Sequence, residues 1–138
     1  MKYKNTKTKV SFQGTIYEFS SIAEANHFNM LSLLLKQGKI SDLILQPTYE
    51  LTKGFKINTN ATKSGESKVS GMKYTPDFSY LQDGKQIVVE VKGKVTTDYA
   101  MRKKLFLSIA YEKYGVNEFV EVFVKNTFVY DCKSVVKN

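Results

Sequence analysis

The sequence predicts a single α/β domain in which helices flank a mixed central sheet. Its 138 residues are enough for one domain that buries roughly two-thirds of the unfolded chain's surface. Apolar residues make up 42% and charged residues 25%, which is typical of a globular protein. The hydrophobic periodicity gives the order helix, three strands, helix, strand, which is typical of an α/β sandwich. We therefore expect residues 1–138 to form one domain.

The first part of the chain is expected to form a short hairpin followed by a helix. Residues 10–12 alternate between apolar and polar, 13–14 can turn, and 16–19 return as a second strand. Two serines then begin a helix over about 20–37, which stops at Gly38, a residue favoured just after a helix end. Its apolar stripe comprises Phe28, Leu31 and Leu35, widened by Ile22, Ala25 and Leu34.

The middle of the chain combines a strand with a polar segment. Residues 43–51 read as a strand, in which Pro47 indicates an edge position or an interruption. Residues 53–71 are rich in Gly, Ser, Thr, Asn and Lys, and we interpret them as a mobile basic loop. The remaining predicted elements are strands over about 72–81 and 86–92, a helix over 97–114 that ends at Gly115, a strand over 119–124 and a further one over 127–131.

The turn at Asp83-Gly84 sets the register of two predicted strands. Asp-Gly between strand-like residues is a strong signal for a two-residue type I′ hairpin. In that register Asp77 stands directly opposite Glu90. Because side chains alternate along a strand, Asp77, Glu90 and Lys92 share one face. The opposite face is apolar and comprises Phe78, Tyr80, Ile87, Val89 and Val91.

Two carboxylates directly across a strand pair repel each other unless a cation lies between them. Hard divalent ions such as Mg²⁺ bind oxygen ligands of this kind, together with water and substrate phosphate. Lys92, on the same face, can hold an attacking water or stabilise negative charge. The alternative is that Lys92 only forms a salt bridge with the acids on a solvated face. The spacing favours a metal site at Asp77 and Glu90.

Glu24 is a third candidate acid, because it extends the apolar stripe of the first helix toward the core. One interpretation is a capping box, in which Ser21-x-x-Glu24 satisfies the free amides of the helix start. The other is that Glu24 joins the metal site. A metal site nearby favours the second interpretation.

Composition limits the chemistry. Twenty-one Lys and Arg against 13 Asp and Glu give a net charge of +8, which favours a polyanionic partner such as DNA. One Cys and one His exclude an intrachain disulfide and a Cys/His zinc site, and weigh against Ser-His-Asp or Cys-His catalysis. No apolar run approaches the ~20 residues of a membrane span. Arg102, Lys103 and Lys104 form either a solvated basic face or a phosphate contact.

Pro76-Asp77, twelve residues and then Glu90-Val91-Lys92 read as PD-x12-ExK, which resembles the PD-(D/E)XK nuclease superfamily. The segments FSSIAEANHFNMLSLLLKQGKISDLILQPTYEL, YTPDFSYLQDGKQIVVEVKG and YAMRKKLFLSIAY resemble its phage-encoded branch of recombination endonucleases and Holliday-junction resolvase-like proteins. The resemblance covers roughly residues 8–110. It implies a restriction-endonuclease-like αβββαβ core and phosphodiester hydrolysis that depends on Mg²⁺ or Mn²⁺.

The resemblance also implies roles for individual residues. Asp77, Glu90, the Val91 carbonyl and Glu24 would bind the metal, and Lys92 would position or activate the water. Gln46 matches a further position of this branch. The chain departs from the branch at residue 89, where a valine stands in place of a second acid that many members carry.

The function that we expect is therefore a Mg²⁺-dependent DNA endonuclease in phage recombination or branched-DNA processing, located in the cytoplasm of the bacterial host. The basic residues from 53 to Lys73 and Arg102 to Lys104 would contact phosphates. Junction resolution needs two coordinated cuts, so a homodimer is expected in that role. Two alternatives stay open: a non-cleaving DNA-binding or inhibitor protein on the same fold, and a sequence-specific nuclease of restriction or transposon-end type.

Overall fold

A five-stranded sheet lies between two helices in the computed structural model, which describes residues 7–125 and 128–136. In chain order the elements are β1 (Thr8–Phe12), β2 (Thr15–Phe19), α1 (Ile22–Lys36), β3 (Ser41–Leu45), β4 (Tyr49–Glu50), β5 (Phe55–Asn58), β6 (Glu66–Val69), β7 (Lys73–Tyr74), β8 (Phe78–Gln82), β9 (Lys85–Lys92), α2 (Thr97–Tyr114), β10 (Val116–Lys125) and β11 (Phe128–Val135).

The central sheet is mixed, and its strand order is β11-β10-β9-β8-β3. Only the β9–β10 pair is parallel, because α2 carries the chain from one end of the sheet back to the other between them. The remaining neighbours are antiparallel. The predicted mixed α/β class is therefore confirmed, as is the predicted order of helix, three strands, helix and strand among the elements α1, β3, β8, β9, α2 and β10.

The two faces of this sheet bury separate clusters. Strand alternation directs Phe78, Val89 and Val91 toward α1, where they pack with Phe28 and Leu31. The alternate residues face α2 and pack in a cluster that comprises Val88, Phe106, Ala110, Val116, Phe119, Tyr74, Tyr99 and Leu51. The charged candidates lie on or beside this second face.

Local sequence signals set the helix ends close to where the sequence predicted them. Ser21 caps α1 by accepting a hydrogen bond from the Glu24 amide, and Thr96 caps α2 by accepting from the Tyr99 amide. Gly115 ends α2 with φ of +67°, a backbone conformation that glycine adopts without the steric penalty that a Cβ brings. Among the residues described, no helix is long and apolar enough to cross a membrane.

The prediction of a mobile loop over 53–71 was wrong, because β5 and β6 pair there as an antiparallel hairpin. Phe55, Ile57 and Val69 supply enough strand-like residues for pairing, although glycine and polar residues dominate the composition. Gly71 lies at the base of this hairpin, where an added Cβ would come 2.4 Å from the Thr52 carbonyl oxygen. The two segments of the chain, at residues 52–54 and at residue 71, therefore lie too close for residue 71 to carry a side chain.

The strands predicted over 43–51 and 72–81 are each interrupted. β3 ends at Leu45 and β4 begins at Tyr49, which agrees with the interruption predicted at Pro47. Residues 75–77 likewise separate β7 from β8. The N-terminal hairpin is confirmed as the antiparallel pair β1–β2. β11 confirms the last predicted strand from residue 128 onward, whereas residue 127 lies outside the described residues.

Candidate active site

The hairpin that places the two acids has the predicted register. Asp83 and Gly84 both have positive φ, of +52° and +75°, as a type I′ turn requires. The ladder runs from Gln82–Lys85 to Phe78–Val89. Asp77 directly precedes β8 and does not pair with Glu90 in this ladder, although its carboxyl group lies beside that of Glu90. The direct pairing of residues 77 and 90 therefore stays a prediction, whereas the side chains do come together.

Asp77 is held by its own backbone and by its side chain. Its amide donates to the Val89 carbonyl at 3.1 Å, and its carbonyl accepts from the Gln46 amide at 2.8 Å. One carboxylate oxygen accepts from the Val91 amide at 2.7 Å. The side chain of Asp77 is therefore fixed against the backbone of β9, beside Glu90.

Glu90 lies in the interior of β9 and is only 5% exposed. The hydroxyl of Tyr74, from β7, donates to Glu90 Oε1 at 3.1 Å. Lys92 Nζ lies 3.6 Å from the same oxygen, which forms an ion pair. The predicted set of Asp77, Glu90 and Lys92 is thus brought together, with Tyr74 as an additional partner.

Burial and mutual repulsion make the acidic pair unusual. Burial, contact with Glu90 and the nearby charge of Glu24 raise the pKa of Asp77 to about 10, against the opposing hydrogen bond from Val91. Burial also raises the pKa of Glu90, although Lys92 and Tyr74 oppose this rise. Two neighbouring buried carboxyl groups with raised pKa values fit a hard divalent cation, whose charge would offset both burial and repulsion. The donor set therefore fits Mg²⁺ or Mn²⁺.

Glu24 makes capping contacts that match the predicted capping box in part: Ser21 accepts from the Glu24 amide, but the Glu24 carboxylate accepts from the Ser20 amide instead of the Ser21 amide. Its carboxylate accepts from the Ser20 hydroxyl at 2.6 Å, the Ser20 amide at 3.3 Å and the Ser21 hydroxyl at 3.3 Å. Its charge still contributes to the raised pKa of Asp77 and Glu90. Within residues 7–125 and 128–136, no group of three or more His, Cys, Asp and Glu side chains is placed to ligate one ion. Glu24 is therefore near the acidic pair but is held by the serines.

A cleft of about 500 Å³ opens beside Glu24 and Lys92, and neither Asp77 nor Glu90 is among its lining residues. Ser20 and Glu24 at the start of α1 form one wall, and Lys92 and Lys94 at the end of β9 form the other. Lysines on one side and a carboxylate on the other suit a bound phosphate group together with a cation.

A second buried network continues from Lys92 toward α2, and sequence reasoning missed it. Lys92 Nζ lies 4.4 Å from the centre of the Tyr99 ring, and the Tyr99 hydroxyl donates to Glu121 Oε2 at 2.6 Å. Glu121 pairs in register with Glu90 across the parallel β9–β10 ladder. The sequence did offer a signal for this network. Glu121 is a glutamate within the apolar run of β10, on the strand face that points to α2.

The basic candidates on α2 differ in their environments. Lys103 Nζ pairs with Glu121 Oε1 at 2.5 Å. Arg102 bonds the side chain of Asp98 and the carbonyl of Lys73, so it links α2 to β7. Lys73 and Lys104 are exposed. Gln46 contacts Asp77 through its backbone amide only, because its side-chain nitrogen donates to the Glu18 carbonyl at 2.9 Å.

Comparisons with known proteins give a family and a structural neighbour. A family model described as "Protein of unknown function (DUF1064)" matches residues 1–131. The structure described as "Crystal structure of SSO0001" aligns with 14% sequence identity and a TM-score of 0.42. That alignment covers 85% of this chain and 52% of the other, so this chain spans about half of its length. A search of curated proteins finds no significant match.

Proposed function

We propose that this chain, which belongs to the DUF1064 family, is a metal-dependent DNA endonuclease with a restriction-endonuclease-like core. The proposed reaction is hydrolysis of a phosphodiester bond, and the proposed substrate is branched DNA such as a recombination junction, as in phage DNA recombination. The observation that carries the proposal is the buried pair of Asp77 and Glu90 with Lys92 beside it.

The proposed metal ligands are Asp77, Glu90 and the backbone carbonyl of Val91, with Glu24 at the start of α1 as a further acid. A bound Mg²⁺ or Mn²⁺ supplies Lewis-acid polarisation of the phosphate and lowers the pKa of water. The raised pKa of Asp77, to about 10, means that the metal-free pair holds a proton at neutral pH. Ion binding is therefore expected to release protons.

The protein side chains orient this site. Tyr74 and Lys92 both contact Glu90 Oε1, so they fix the carboxylate in one rotamer. The side chain of Lys92 is 28% exposed, and it lines the cleft while the Tyr99 ring lies below its ammonium group. In the proposed reaction Lys92 holds the attacking water and stabilises charge that develops on the phosphate.

The basic hairpin formed by β5 and β6 supports a polyanionic substrate such as DNA. Lys56 of β5 stands directly opposite Lys68 of β6, and both are exposed. Like charges in this position destabilise a strand pair, so the arrangement favours a polyanion that neutralises both. Residues 53–71 carry four lysines and one glutamate. Lys73 and Lys104 are further exposed basic residues, and an affinity that depends on such charges would fall steeply with salt.

The experiment offers four-way, flap and linear duplex DNA to the wild type and to Asp77→Asn, in Mg²⁺ and in Mn²⁺. We expect Asp77→Asn to reduce cleavage by on the order of a thousandfold or more, because a metal ligand contributes several kcal/mol to such a reaction. The matched control is Asp83→Asn, which changes the exposed aspartate of the same hairpin and keeps a residue that tolerates positive φ.

The outcomes of this cleavage assay distinguish the proposed nuclease from its two alternatives. Cleavage by Asp77→Asn at the wild-type rate would exclude the proposed site. Tight DNA binding by a wild type that cuts none of the substrates would instead support the non-cleaving binding protein. Cutting confined to one sequence in linear duplex would support a site-specific nuclease.

A further inference from the structure

The outer edge of the central sheet, as far as residues 7–125 and 128–136 show it, is the strand β11, which exposes several large apolar side chains. β11 is the terminal strand on that side, and no described strand pairs with its outer side. Its side chains at Phe128, Val129 and Val135 are 73%, 64% and 64% exposed. An exposed strand of eight residues with large apolar side chains is a ready template for pairing with another strand.

The hydrogen-bond phase of β11 determines which of its residues face outward. The Val136 amide donates to the Asn117 carbonyl at 2.8 Å, and the ladder then pairs Ser134 with Phe119 and Cys132 with Glu121. Because bonded and non-bonded residues alternate along an antiparallel strand, the even-numbered residues point their backbone groups at β10. The outward-facing backbone groups therefore belong to Val129, Asp131, Lys133 and Val135.

The outward-facing residues of β11 are complementary to those of a second copy of the same strand, when the two strands are centred on Cys132. An antiparallel second copy with Cys132 opposite its own counterpart would place Asp131 opposite Lys133 of the partner subunit. The same register places Val129 opposite Val135 of the partner subunit, and both relations repeat by the twofold symmetry. Opposite charges and β-branched side chains in directly paired positions stabilise a strand pair.

Shifted registers lose this match. Antiparallel pairing joins outward-facing residues only with outward-facing residues, so the register can shift only in steps of two. One step in one direction places Asp131 opposite itself, and one step in the other places Lys133 opposite itself, which gives repulsion. Edge strands that avoid pairing carry charges that repel a second strand in every register. The opposite charges on β11 instead attract a second copy in one register.

The neighbouring surface extends the same apolar edge. A groove of about 380 Å³ lies between α1 and the end of the sheet, and Val129 lines it together with Met30 and Ile22. Met30 and Ile22 are both exposed. In the symmetric register, Val135 of the partner subunit lies next to Val129 and therefore beside this groove.

We propose that the chain forms a twofold symmetric dimer in which two β11 strands pair antiparallel about Cys132. The two five-stranded sheets then form one continuous sheet of the two subunits. This proposal does not depend on the nuclease proposal, because its tests measure association only.

The test is a charge swap measured by sedimentation equilibrium at low salt, from about 1 to 100 μM. We expect the wild type to dimerise, and Asp131→Lys to weaken association roughly tenfold or more, because each variant interface then holds two like-charge pairs. Lys133→Asp should act similarly, although it also removes the Lys133–Glu118 ion pair within one subunit. The double variant Asp131→Lys/Lys133→Asp should restore association, because opposite charges again face each other.

A second measurement checks the register. Mild oxidation should link two wild-type chains through Cys132, since directly opposed residues of a non-bonded pair lie close enough for a disulfide. A wild type that is monomeric at 100 μM would overturn the proposal. So would a dimer that is indifferent to both single swaps, or one that Cys132 cannot link. Circular dichroism of each variant checks that its fold is kept.

Discussion

The two faces of the central sheet bury different chemistry. Under α1 the packed side chains form an apolar cluster in which Phe12 meets Phe28 edge to face at 5.7 Å. The buried acids on this side are Glu24, which bonds serine hydroxyls, and Glu118, which pairs with lysines. Under α2 the same sheet buries Glu90 and Glu121, with Tyr74 and Tyr99 bonded to them. Buried carboxyl groups cost free energy that apolar residues would not, so the acids under α2 lower the stability of that face, as expected if they serve the proposed site.

The largest expected effect of a substitution on the α2 face is the loss of cleavage activity. Lys92→Ala should abolish nearly all cleavage while metal binding is largely kept, because Lys92 contacts Glu90 rather than the proposed ion. Cleavage assays and calorimetric Mg²⁺ titration measure the two properties separately. Lys85→Ala, at the other end of β9, is the matched control and should cut normally. Loss of metal affinity together with turnover would contradict this division of roles.

The next effect is on stability, and it should come from the apolar face. Leu31→Ala should destabilise the fold by about 2–5 kcal/mol, because Leu31 is fully buried and its removal leaves a cavity under α1. Urea unfolding followed by circular dichroism measures this loss. Glu121→Gln on the other face should cost no more than about 1–2 kcal/mol, since the partly exposed Lys103 can turn to solvent. A loss of unfolding free energy that is greater for Glu121→Gln than for Leu31→Ala would contradict this expectation.

The pH dependence of stability should also separate the two faces. Asp77 keeps its proton in the metal-free folded state up to a pKa of about 10, whereas the unfolded chain loses it near 4. Stability in chelator should therefore fall as pH rises from 7 to 9, by up to about 1.4 kcal/mol per pH unit. Asp77→Asn should flatten this slope in urea titrations.

His27, on the apolar face, should give stability the opposite pH dependence to that of Asp77, at lower pH. Burial lowers the pKa of His27, so the unfolded chain binds a proton that the folded chain excludes. Stability should therefore fall as pH drops below about 6.5. Measurements above pH 7 isolate the contribution of Asp77, and an unchanged slope in Asp77→Asn would show that the pair does not hold the proton.

The smallest effects concern the helix caps. Ser21→Ala and Thr96→Ala should each cost about 1 kcal/mol, because each removes the acceptor of a free helix amide. Ser21→Ala should cost slightly more, since its hydroxyl also bonds the Glu24 carboxylate. Thermal unfolding of the two variants and their combination checks both values. The caps lie on different helices, so a non-additive combination would indicate coupling between the helix starts.

Sequence reasoning reached the acidic pair because the turn at Asp83-Gly84 is local chemistry. A two-residue turn fixes the register, and the register fixes which side chains face each other. The hairpin over 55–69 escaped notice because its strands are short and mostly polar. The environments of Arg102 and Lys103 also escaped, because their partners Lys73 and Glu121 are distant in the chain.

Periodicity, capping and turn geometry act over a few residues, so the fold class, the helix ends and the proximity of Asp77 to Glu90 could be predicted from the sequence. The packing of distant segments adds that Glu121 lies beside Glu90, that Tyr74 and Tyr99 bond these carboxylates, and that the outer side of β11 stays unpaired among the described residues. Those relations depend on the parallel β9–β10 pairing and on the seating of α2. Neither leaves a local signal, because each joins segments that are separated by a whole helix or more.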